Sequence, residues 1–434
     1  MSSIDFSSIG EKLSARSGIL DLMDDLGAAV TLRPDMLLLG GGNPAAIPEV
    51  QKIWREEMTA LLTNGDEFDK ALANYDPPQG NPQFLESFAQ MFAQRFSWSI
   101  TAENVAVSNG AQTGMFCLLN MLGGKDEQGN ENKILLPLAP DYIGYADMGV
   151  SSDLFISCPG IITAPCENQP HIFKYAVDFA AVEYALKTNH VAAMLVSRPT
   201  NPSGNVISKA ELERLDALAL QYGTMLIIDN AYGVPFPDAL EEIEEPFYSP
   251  RAIETFSLSK IGLPGLRTAF IVGPPELIKA VAGVTAIVGL ANGNIGQRLT
   301  ARLFQSGRIL KISQKIVQPY YCRRRRAATE ILSDYLTQAG ANWQMHLPQG
   351  AFFLWLRLPG LKITSAELYQ RLKQRGVLII PGEKFFYGRY IGNASEDFIE
   401  HQTQCLRISF TADERALEQG LKIIAEECYA NQVH

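Results

Sequence analysis

The chain has 434 residues, of which 47% are hydrophobic and 19% are charged, a composition that suits a well-packed globular protein of two domains. Its formal net charge of −10 argues against a broad basic surface for nucleic acid. The longest uncharged run, residues 280–297, is broken by glycines and asparagines and does not predict a membrane span. We therefore expect a cytoplasmic enzyme or binding protein with neither a nucleic-acid nor a membrane partner.

The cysteines and the one basic run both have plain structural interpretations. The six cysteines include no CxxC pair, and no histidine lies at metal-ligand spacing from them. We expect reduced, mostly buried thiols and no metal site. The four arginines at 323–326 lie in a helix-like stretch, which we interpret as a solvated helix face rather than a nucleic-acid patch.

Strand-like and helix-like stretches alternate over residues 51–306. The clearest helix is predicted over 208–222, where Ser208 is a good N-cap, Glu211 completes a capping box and Gly223 stops the helix. This alternation predicts an α/β fold, a mainly parallel sheet with helices on both faces. The strand-like runs are ENVAVSNG, KILLPLAP, AAMLVSRP, MLIIDNAY, TFSLSK and TAFIVG.

The pattern changes after residue 306. A long polar helix through the arginines is followed by AFFLWLRL, the helix SAELYQRLKQRG, VLIIPG, CLRISF and a final helix. This order predicts a smaller α+β domain formed by residues 307–434, with residues 1–50 packed against it. Residues 51–306 then form the large domain.

Polar residues follow four of the predicted strands at the point where each strand ends. These are Gly110 at the start of a helix, Asn201, Asp229 and Lys260. Ligands of open α/β sheets bind beyond the carboxyl ends of the strands, so the sequence predicts a site at this edge.

Each of these residues has a chemical interpretation beside a structural one. A helix that begins after Gly110 offers N–H groups and a dipole to a phosphate, although an ordinary helix start explains it too. Asp229 follows a buried strand and needs a cationic partner, either in a structural salt bridge or on a protonated ring nitrogen. A lysine in a partly dry pocket beside other cations has a lowered pKa and a nucleophilic amine, which we expect for Lys260. The structural alternative is a lysine that pairs with a phosphate without covalent chemistry.

Taken together, these groups fit pyridoxal 5'-phosphate. A lysine forms a Schiff base with the aldehyde of this cofactor, and a carboxylate keeps its pyridine nitrogen protonated. Ser257 and Arg267 flank the lysine in SLSKIGLPGLR and supply a hydroxyl and a guanidinium for the same phosphate.

The chain resembles the fold type I pyridoxal-phosphate aminotransferases over nearly its whole length. The resemblance is carried by NYDPPQG, VSNGAQ, PLAPDYIGYAD, VSRPTNPSGNVI, IDNAYGVPFP, SLSKIGLPGLR and CLRISF, in this order. It implies a transaminase that moves the amino group of valine, or of a similar aliphatic amino acid, to pyruvate. The products are then 3-methyl-2-oxobutanoate and alanine.

The resemblance also implies a cofactor role for each candidate residue. Lys260 carries the Schiff base and moves the substrate proton, and Asp229 pairs with the ring nitrogen. Asn201 and Tyr232 hydrogen-bond the phenolic oxygen of the cofactor, and Tyr142 stacks on its ring, although an ordinary core aromatic is the alternative for Tyr142. The phosphate is held by Gly110, Ala111, Gln112, Ser257 and Arg267.

The remaining implied roles concern the substrate and a second subunit. Arg407 binds the substrate carboxylate in a bidentate manner, close to Asn201, and Gly42 lies where the N-terminal segment closes over the substrate. Tyr75 reaches the phosphate of the neighbouring subunit, which implies a homodimer. The structural alternatives are a salt-bridged strand residue for Arg407 and a surface turn for Tyr75.

Three other functions stay open at this point. A β-lyase, or a transaminase for aromatic or acidic amino acids, uses the same cofactor site, and the sequence does not identify the side-chain pocket. A non-enzymatic cofactor-binding regulator usually carries a DNA-binding module, which the acidic balance of this chain does not favour. A nicotinamide oxidoreductase lacks support because no GxGxxG follows the first strands.

Arg267 stands seven residues after Lys260, where many relatives have eight. The loop between the lysine and the phosphate arginine is therefore one residue shorter in this chain.

Overall fold

The structure, a computed structural model, describes residues 4–33, 35–165, 168–392 and 394–433. Cys166 lies outside these ranges, and the other five cysteines are free and buried, as predicted. The helices are α1 Ser8–Ser14, α2 Gly18–Leu32, α3 Pro48–Thr63, α4 Glu67–Ala73, α5 Pro82–Phe96, α6 Ala111–Leu122, α7 Phe179–Thr188, α8 Lys209–Tyr222, α9 Pro275–Gly289, α10 Ile295–Gln305, α11 Arg308–Ile312, α12 Gln318–Ala339, α13 Ser365–Gln374, α14 Glu396–Gln404 and α15 Glu414–Ala430.

The strands are short, and several follow the runs predicted from the sequence. They are β1 Leu37–Leu38, β2 Val105–Ser108, β3 Gly124–Lys125, β4 Glu131–Ala139, β5 Phe155–Pro159, β6 Ile161–Thr163, β7 Ile172–Ala176, β8 Val191–Ser197, β9 Met225–Asp229, β10 Ile253–Ser257, β11 Ala269–Val272, β12 Gln344–His346, β13 Phe353–Arg357, β14 Val377–Leu378, β15 Ile380–Pro381, β16 Arg389–Tyr390 and β17 Cys405–Ser409.

The large sheet has the strand order β16-β5-β4-β8-β9-β10-β11-β2, with β3 paired to β4. Its strands are parallel except β11, which is antiparallel to both neighbours, and β3. Side chains of β8 alternate between the faces: Leu195 packs with α6 and α9, whereas Val196 packs with α7 and α8. The predicted parallel sheet with helices on both faces is confirmed, and the nearly continuous burial of its strands follows from this double cover.

The predicted helix over 208–222 is also confirmed. The Ser208 hydroxyl accepts a hydrogen bond from the Glu211 amide, the Glu211 carboxylate accepts one from the Ser208 amide, and Gly223 ends α8 in the left-handed region.

The second sheet has the order β15-β17-β13-β12-β7-β6. It combines strands from the C-terminal part of the chain with β6 and β7, which come from within residues 51–306. In return, β16 joins the large sheet through β5. The N-terminal segment contributes β1, which pairs with β14. The division into residues 51–306 and the remainder therefore stays a prediction. Each of the two sheets contains at least one strand from the other part of the chain.

The interpretation of the arginine run as a solvated helix face is wrong for two of its members. Arg323 and Arg326 are exposed, but Arg324 and Arg325 are buried. Arg324 donates to the carbonyls of Phe410 and Ala412, and Arg325 donates to the Ala239 carbonyl and pairs with Glu241 at 2.8 Å. Because the segments around Ala239 and Phe410 pack against α12, its guanidiniums bind carbonyls and a carboxylate of these segments.

Helix α12 continues α11 through a π-helical segment, Ser313–Val317, and packs lengthwise against α15. In the part of the chain that the structure describes, none of the helices combines the length and apolarity that crossing a bilayer requires.

Glu254 on β10 gives the fold a testable dependence on pH. Its side chain is buried. One carboxyl oxygen accepts a hydrogen bond from the side-chain amide of Asn230 at 2.6 Å, and the other oxygen has no partner. Burial raises the pKa of this carboxyl to about 8. The unfolded chain releases that proton near its ordinary pKa, so the free energy of unfolding falls by up to about 1.4 kcal/mol per pH unit as the pH rises from there toward 8.

We expect Glu254→Gln, which imitates the protonated acid, to raise the melting temperature at pH 8–9 and to change it little at pH 5. Melting curves across this range measure the effect, with Glu242→Gln as an exposed control. Equal shifts of both variants at every pH would contradict it.

Candidate active site

A cavity of about 540 Å³ lies at the carboxyl edge of the large sheet, between that sheet and the second one. Strands β8, β9 and β10 each end at it, which agrees with the predicted location. Most of the predicted residues line it together: Gly42, Ala111, Gln112, Tyr142, Asn201, Asp229, Tyr232, Ser257, Lys260, Arg267 and Arg407.

Lys260 lies in a short 3₁₀ turn, Ser259–Ile261, directly after β10. Its Nζ donates to the Gly42 carbonyl at 2.5 Å. Burial first, and then the nearby guanidiniums of Arg407 and Arg267, together lower the pKa of this amine to about 8. The lowered pKa predicted from the sequence is thus found, and a larger share of the amine is neutral and nucleophilic at physiological pH.

Asp229 ends β9 with its carboxylate buried and satisfied by three donors. Oδ2 accepts from the Tyr145 hydroxyl at 2.5 Å, while Oδ1 accepts from the Ala231 amide at 2.9 Å and the Thr255 hydroxyl at 3.2 Å. Burial raises the pKa of Asp229, and the Tyr145 hydrogen bond is the largest influence that lowers it. The carboxylate is therefore oriented before any ligand binds.

The start of α6 and Arg267 form a cup suited to an anion. Gly110 has φ +83°, and a Cβ there would lie 2.0 Å from Nη2 of Arg267, so only glycine lets the guanidinium approach this helix. Gly110 itself is not among the cavity-lining residues, whereas Ala111 is. Ser257 adds a hydroxyl that is hydrogen-bonded to Ser259 at 3.0 Å. The Gln112 amide instead donates to the Gly144 carbonyl, which braces the loop that carries Tyr142.

Arg407, on β17, is buried between aromatic rings. Its guanidinium lies 4.1 Å from the ring centre of Phe353 and 5.1 Å from that of Phe385. Nη1 donates to Asn201 Oδ1 and Nη2 to the Gly40 carbonyl, each at 2.7 Å, while the buried Nε has no partner. A guanidinium held in this way offers unused donor capacity to a carboxylate in the cavity.

Two aromatic side chains complete the walls. Tyr142 stands edge-on to Tyr145, with ring centres 5.1 Å apart. Tyr232 is buried, and its ring centre is 5.1 Å from Lys260 Nζ. Burial raises the pKa of the Tyr232 hydroxyl, which is consequently protonated at neutral pH and available as a donor.

Tyr75 is not brought to this cavity. It is 81% exposed in the segment between α4 and α5 and does not line the site. Its predicted contact with a neighbouring subunit stays a prediction.

The sequence reasoning missed several residues of the site. Tyr145 lies in PLAPDYIGYAD three residues after Tyr142, and Thr255 points to the same face of β10 as Ser257, so alternation along the strand was an available signal. Asp141, which accepts from the Ser197 hydroxyl at 2.5 Å, ties the Tyr142 loop to the end of β8. The residues of α2 that line the cavity, including Ile19 and Met23, gave no motif.

The charges of the cavity fit a cofactor with a phosphate. Among the described residues that line it, the cations Lys260, Arg267 and Arg407 face a single carboxylate, that of Asp229. A partly buried site with excess positive charge is stabilised by an anion. Pyridoxal phosphate supplies the phosphate for the cup at α6, the ring nitrogen for Asp229 and the aldehyde for Lys260.

Comparison with known proteins agrees with this site. The family model for aminotransferase class I and II matches residues 35–424. The chain is 41% identical to valine–pyruvate aminotransferase of Escherichia coli, over 97% of both chains. Among solved structures, it resembles a putative amino-acid aminotransferase of Psychrobacter arcticum, with a TM-score of 0.93 and 38% identity over 99% of this chain and 100% of the other.

A valine–pyruvate aminotransferase of Salmonella typhimurium is similar with a TM-score of 0.82 and 38% identity, over 95% of this chain and 98% of the other. The fold, the site and these similarities together define the class of protein: the chain belongs to the class I and II aminotransferase family. It is a transaminase whose cofactor is pyridoxal phosphate.

Tyr145 and Tyr387 provide a matched test of how Asp229 is held. Tyr145 is buried and Tyr387 is half-buried, and the Tyr387 hydroxyl is shielded from solvent but has no hydrogen-bond partner. We expect Tyr145→Phe to weaken pyridoxal phosphate binding to the apo-protein at least tenfold, because a hydrogen bond to a charged group contributes about 1.5–3 kcal/mol. Tyr387→Phe should leave binding unchanged. Titration of each apo-protein followed by fluorescence measures this, and equal affinities in both variants would rule out the role of Tyr145.

Proposed function

We propose that this chain transfers the amino group of valine, or of a similar aliphatic amino acid, to pyruvate, with 3-methyl-2-oxobutanoate and alanine as products. Similarity over the full length to a relative named for this reaction carries the choice of substrates. The aliphatic wall that α2 adds to the cavity supports it. A cytoplasmic location belongs to the same proposal.

The bound cofactor supplies an electron sink that stabilises negative charge at the substrate Cα. In this proposal the freed amine of Lys260 removes the proton from Cα and later returns one, as a general base and then a general acid. A pKa near 8 suits both directions, because the amine accepts and gives up a proton close to physiological pH. Asp229 holds the proton on the ring nitrogen, and Asn201 and Tyr232 donate to the phenolic oxygen.

In the same proposal, Arg407 orients the substrate. Its Nε and Nη atoms bind the α-carboxylate while Phe353 and Phe385 fix the plane of the guanidinium. With the carboxylate fixed, the Cα–H bond is directed toward Lys260, and orientation lowers the activation barrier. In this proposal the phosphate is held at the start of α6 by the backbone amides of Ala111 and Gln112, the Ser257 hydroxyl and the Arg267 guanidinium.

An amino-donor profile with pyruvate as acceptor tests the proposed function. We expect valine and related aliphatic amino acids to give the highest kcat/KM, and glutamate and tyrosine to give low values. Alanine formation, measured by chromatography, is the readout, and Lys260→Ala should reduce it to background while Lys279→Ala, an exposed control, keeps it. Preference for tyrosine or glutamate would contradict the choice of valine, and turnover by Lys260→Ala would contradict the mechanism.

We propose in addition that the chain is a homodimer in which the Tyr75 hydroxyl serves the phosphate of the neighbouring subunit. An exposed apolar patch supports this. Asn294 donates to the Asn74 carbonyl at 2.7 Å, which brings the Tyr75 segment beside the loop that joins α9 to α10. Together these two segments expose Leu72, Tyr75, Ile287, Val288 and Leu290, each more than half accessible. Exposed apolar patches of this kind are typical of interfaces.

The double variant Ile287→Glu, Val288→Glu should shift the protein from dimer to monomer in sedimentation velocity, because charges in an apolar interface are desolvated without partners. Ile243→Glu is the control, since Ile243 is 92% exposed elsewhere on the surface. A wild-type monomer with full cofactor affinity would contradict the homodimer.

A further inference from the structure

Helix α2 places one face on the mouth of the active-site cavity. Ile19, Met23, Gly27 and Thr31 line the cavity at intervals of four residues, and Leu22 lies beside them. Residues spaced by three and four share one side of a helix. The face that α2 turns to the cavity is therefore aliphatic near its N-terminus and has small side chains further along.

Contacts on both sides of the cavity hold α2 in this position. The Gly18 amide donates to Asp147 at 3.3 Å, on the side of the large sheet. On the other side, Asp25 pairs with Lys373 at 2.7 Å and accepts from the Tyr369 hydroxyl, and Asp21 lies 3.5 Å from Lys384. The helix thus spans the mouth of the cavity instead of extending into solvent.

The charges of the cavity leave no partner for a second carboxylate. Among the described residues that line it, Lys260, Arg267 and Arg407 are the cations, and the proposed function assigns them to the cofactor aldehyde, the phosphate and the α-carboxylate. A side-chain carboxylate of aspartate or glutamate would lose its hydration against the face of α2 without a compensating charge. A branched aliphatic side chain would instead bury apolar area there.

Gly27 keeps part of this face open. A Cβ added at Gly27 meets no atom within 4 Å, so protein packing does not require glycine there. Glycine in the middle of a helix is destabilising relative to alanine, so a structural role alone would not favour it. The space in front of Gly27 is therefore available to a ligand in the cavity.

We propose that Ile19, Leu22 and Met23 on α2 form the side-chain pocket of the substrate and select aliphatic over acidic amino acids, with Gly27 leaving room for the branched chain. This inference deepens the proposed function and rests on it for the positions of the cofactor and the α-carboxylate.

The experiment compares the wild type with Leu22→Ala, Met23→Ala combined. Single-turnover half-reactions of the holoenzyme with valine, alanine and aspartate are followed by cofactor absorbance. We expect the ratio of kcat/KM for valine to that for alanine to fall about tenfold, because the apolar contacts act on the two branch methyl groups that alanine lacks. Leu20→Ala, on the same helix but outside the cavity lining, should keep the wild-type ratio.

Two further variants test the charge and the space separately. Met23→Arg should raise kcat/KM for aspartate at least tenfold, since it supplies the missing cation. Gly27→Val should lower kcat/KM for valine more than for alanine. An unchanged valine-to-alanine ratio in the double variant, or the same change in Leu20→Ala, would overturn the pocket.

Binding without turnover separates this inference from the proposed function. We expect the double variant to bind 3-methylbutanoate about tenfold more weakly than the wild type in calorimetry of the holoenzyme, and to bind acetate equally well. If the wild type fails to use valine but this difference persists, the proposed function fails while the pocket stands. If valine is used and the difference is absent, the pocket fails alone.

Discussion

The site depends on holding several charges out of water at one edge of a sheet. Lys260, Asp229 and Arg407 are charged side chains that would each be better solvated in bulk water, and each is costly to bury alone. Hydrogen bonds and aromatic rings offset this cost. Three donors bind the Asp229 carboxylate, the Gly42 carbonyl accepts from Lys260, and two aromatic rings lie beside the Arg407 guanidinium. The same burial lowers the pKa of the amine into the range where it exchanges protons with a substrate.

The surrounding fold brings these charged groups together and shields them from water. Parallel strands bring the ends of β8, β9 and β10 to one edge, so polar groups distant in sequence meet there. Both faces of the sheet are covered by helices, which keeps the strands dry and rigid behind the site. The second sheet supplies Arg407 from the opposite side, and its bond to Asn201 joins the two halves across the cavity.

Much of this arrangement could be predicted from the sequence, because its signals are local. The capping box at Ser208, the buried strands and the spacing of Asp229, Lys260 and Arg267 depend on neighbouring residues. The parts that escaped prediction depend on contacts between distant segments. Arg324 and Arg325 are buried because the distant segments around Phe410 and Ala239 pack against α12, and helix periodicity does not predict such contacts. Ile19 and Met23 have no motif, since only the path of α2 over the cavity gives them a role.

The exchange of strands between the two sheets has a mechanical consequence. The chain leaves the large sheet at the end of β5, forms β6 and β7 in the other sheet, and returns to the large sheet with β8. After β12, β13 and β15 in the second sheet, it adds β16 to the large sheet before β17. At the first crossing Gly160 fits so closely that a Cβ would lie 2.9 Å from the Ala139 carbonyl oxygen. Any opening of the cleft between the two sheets must therefore bend the backbone at several such crossings. The two sheets cannot move as independent lobes joined by a single linker.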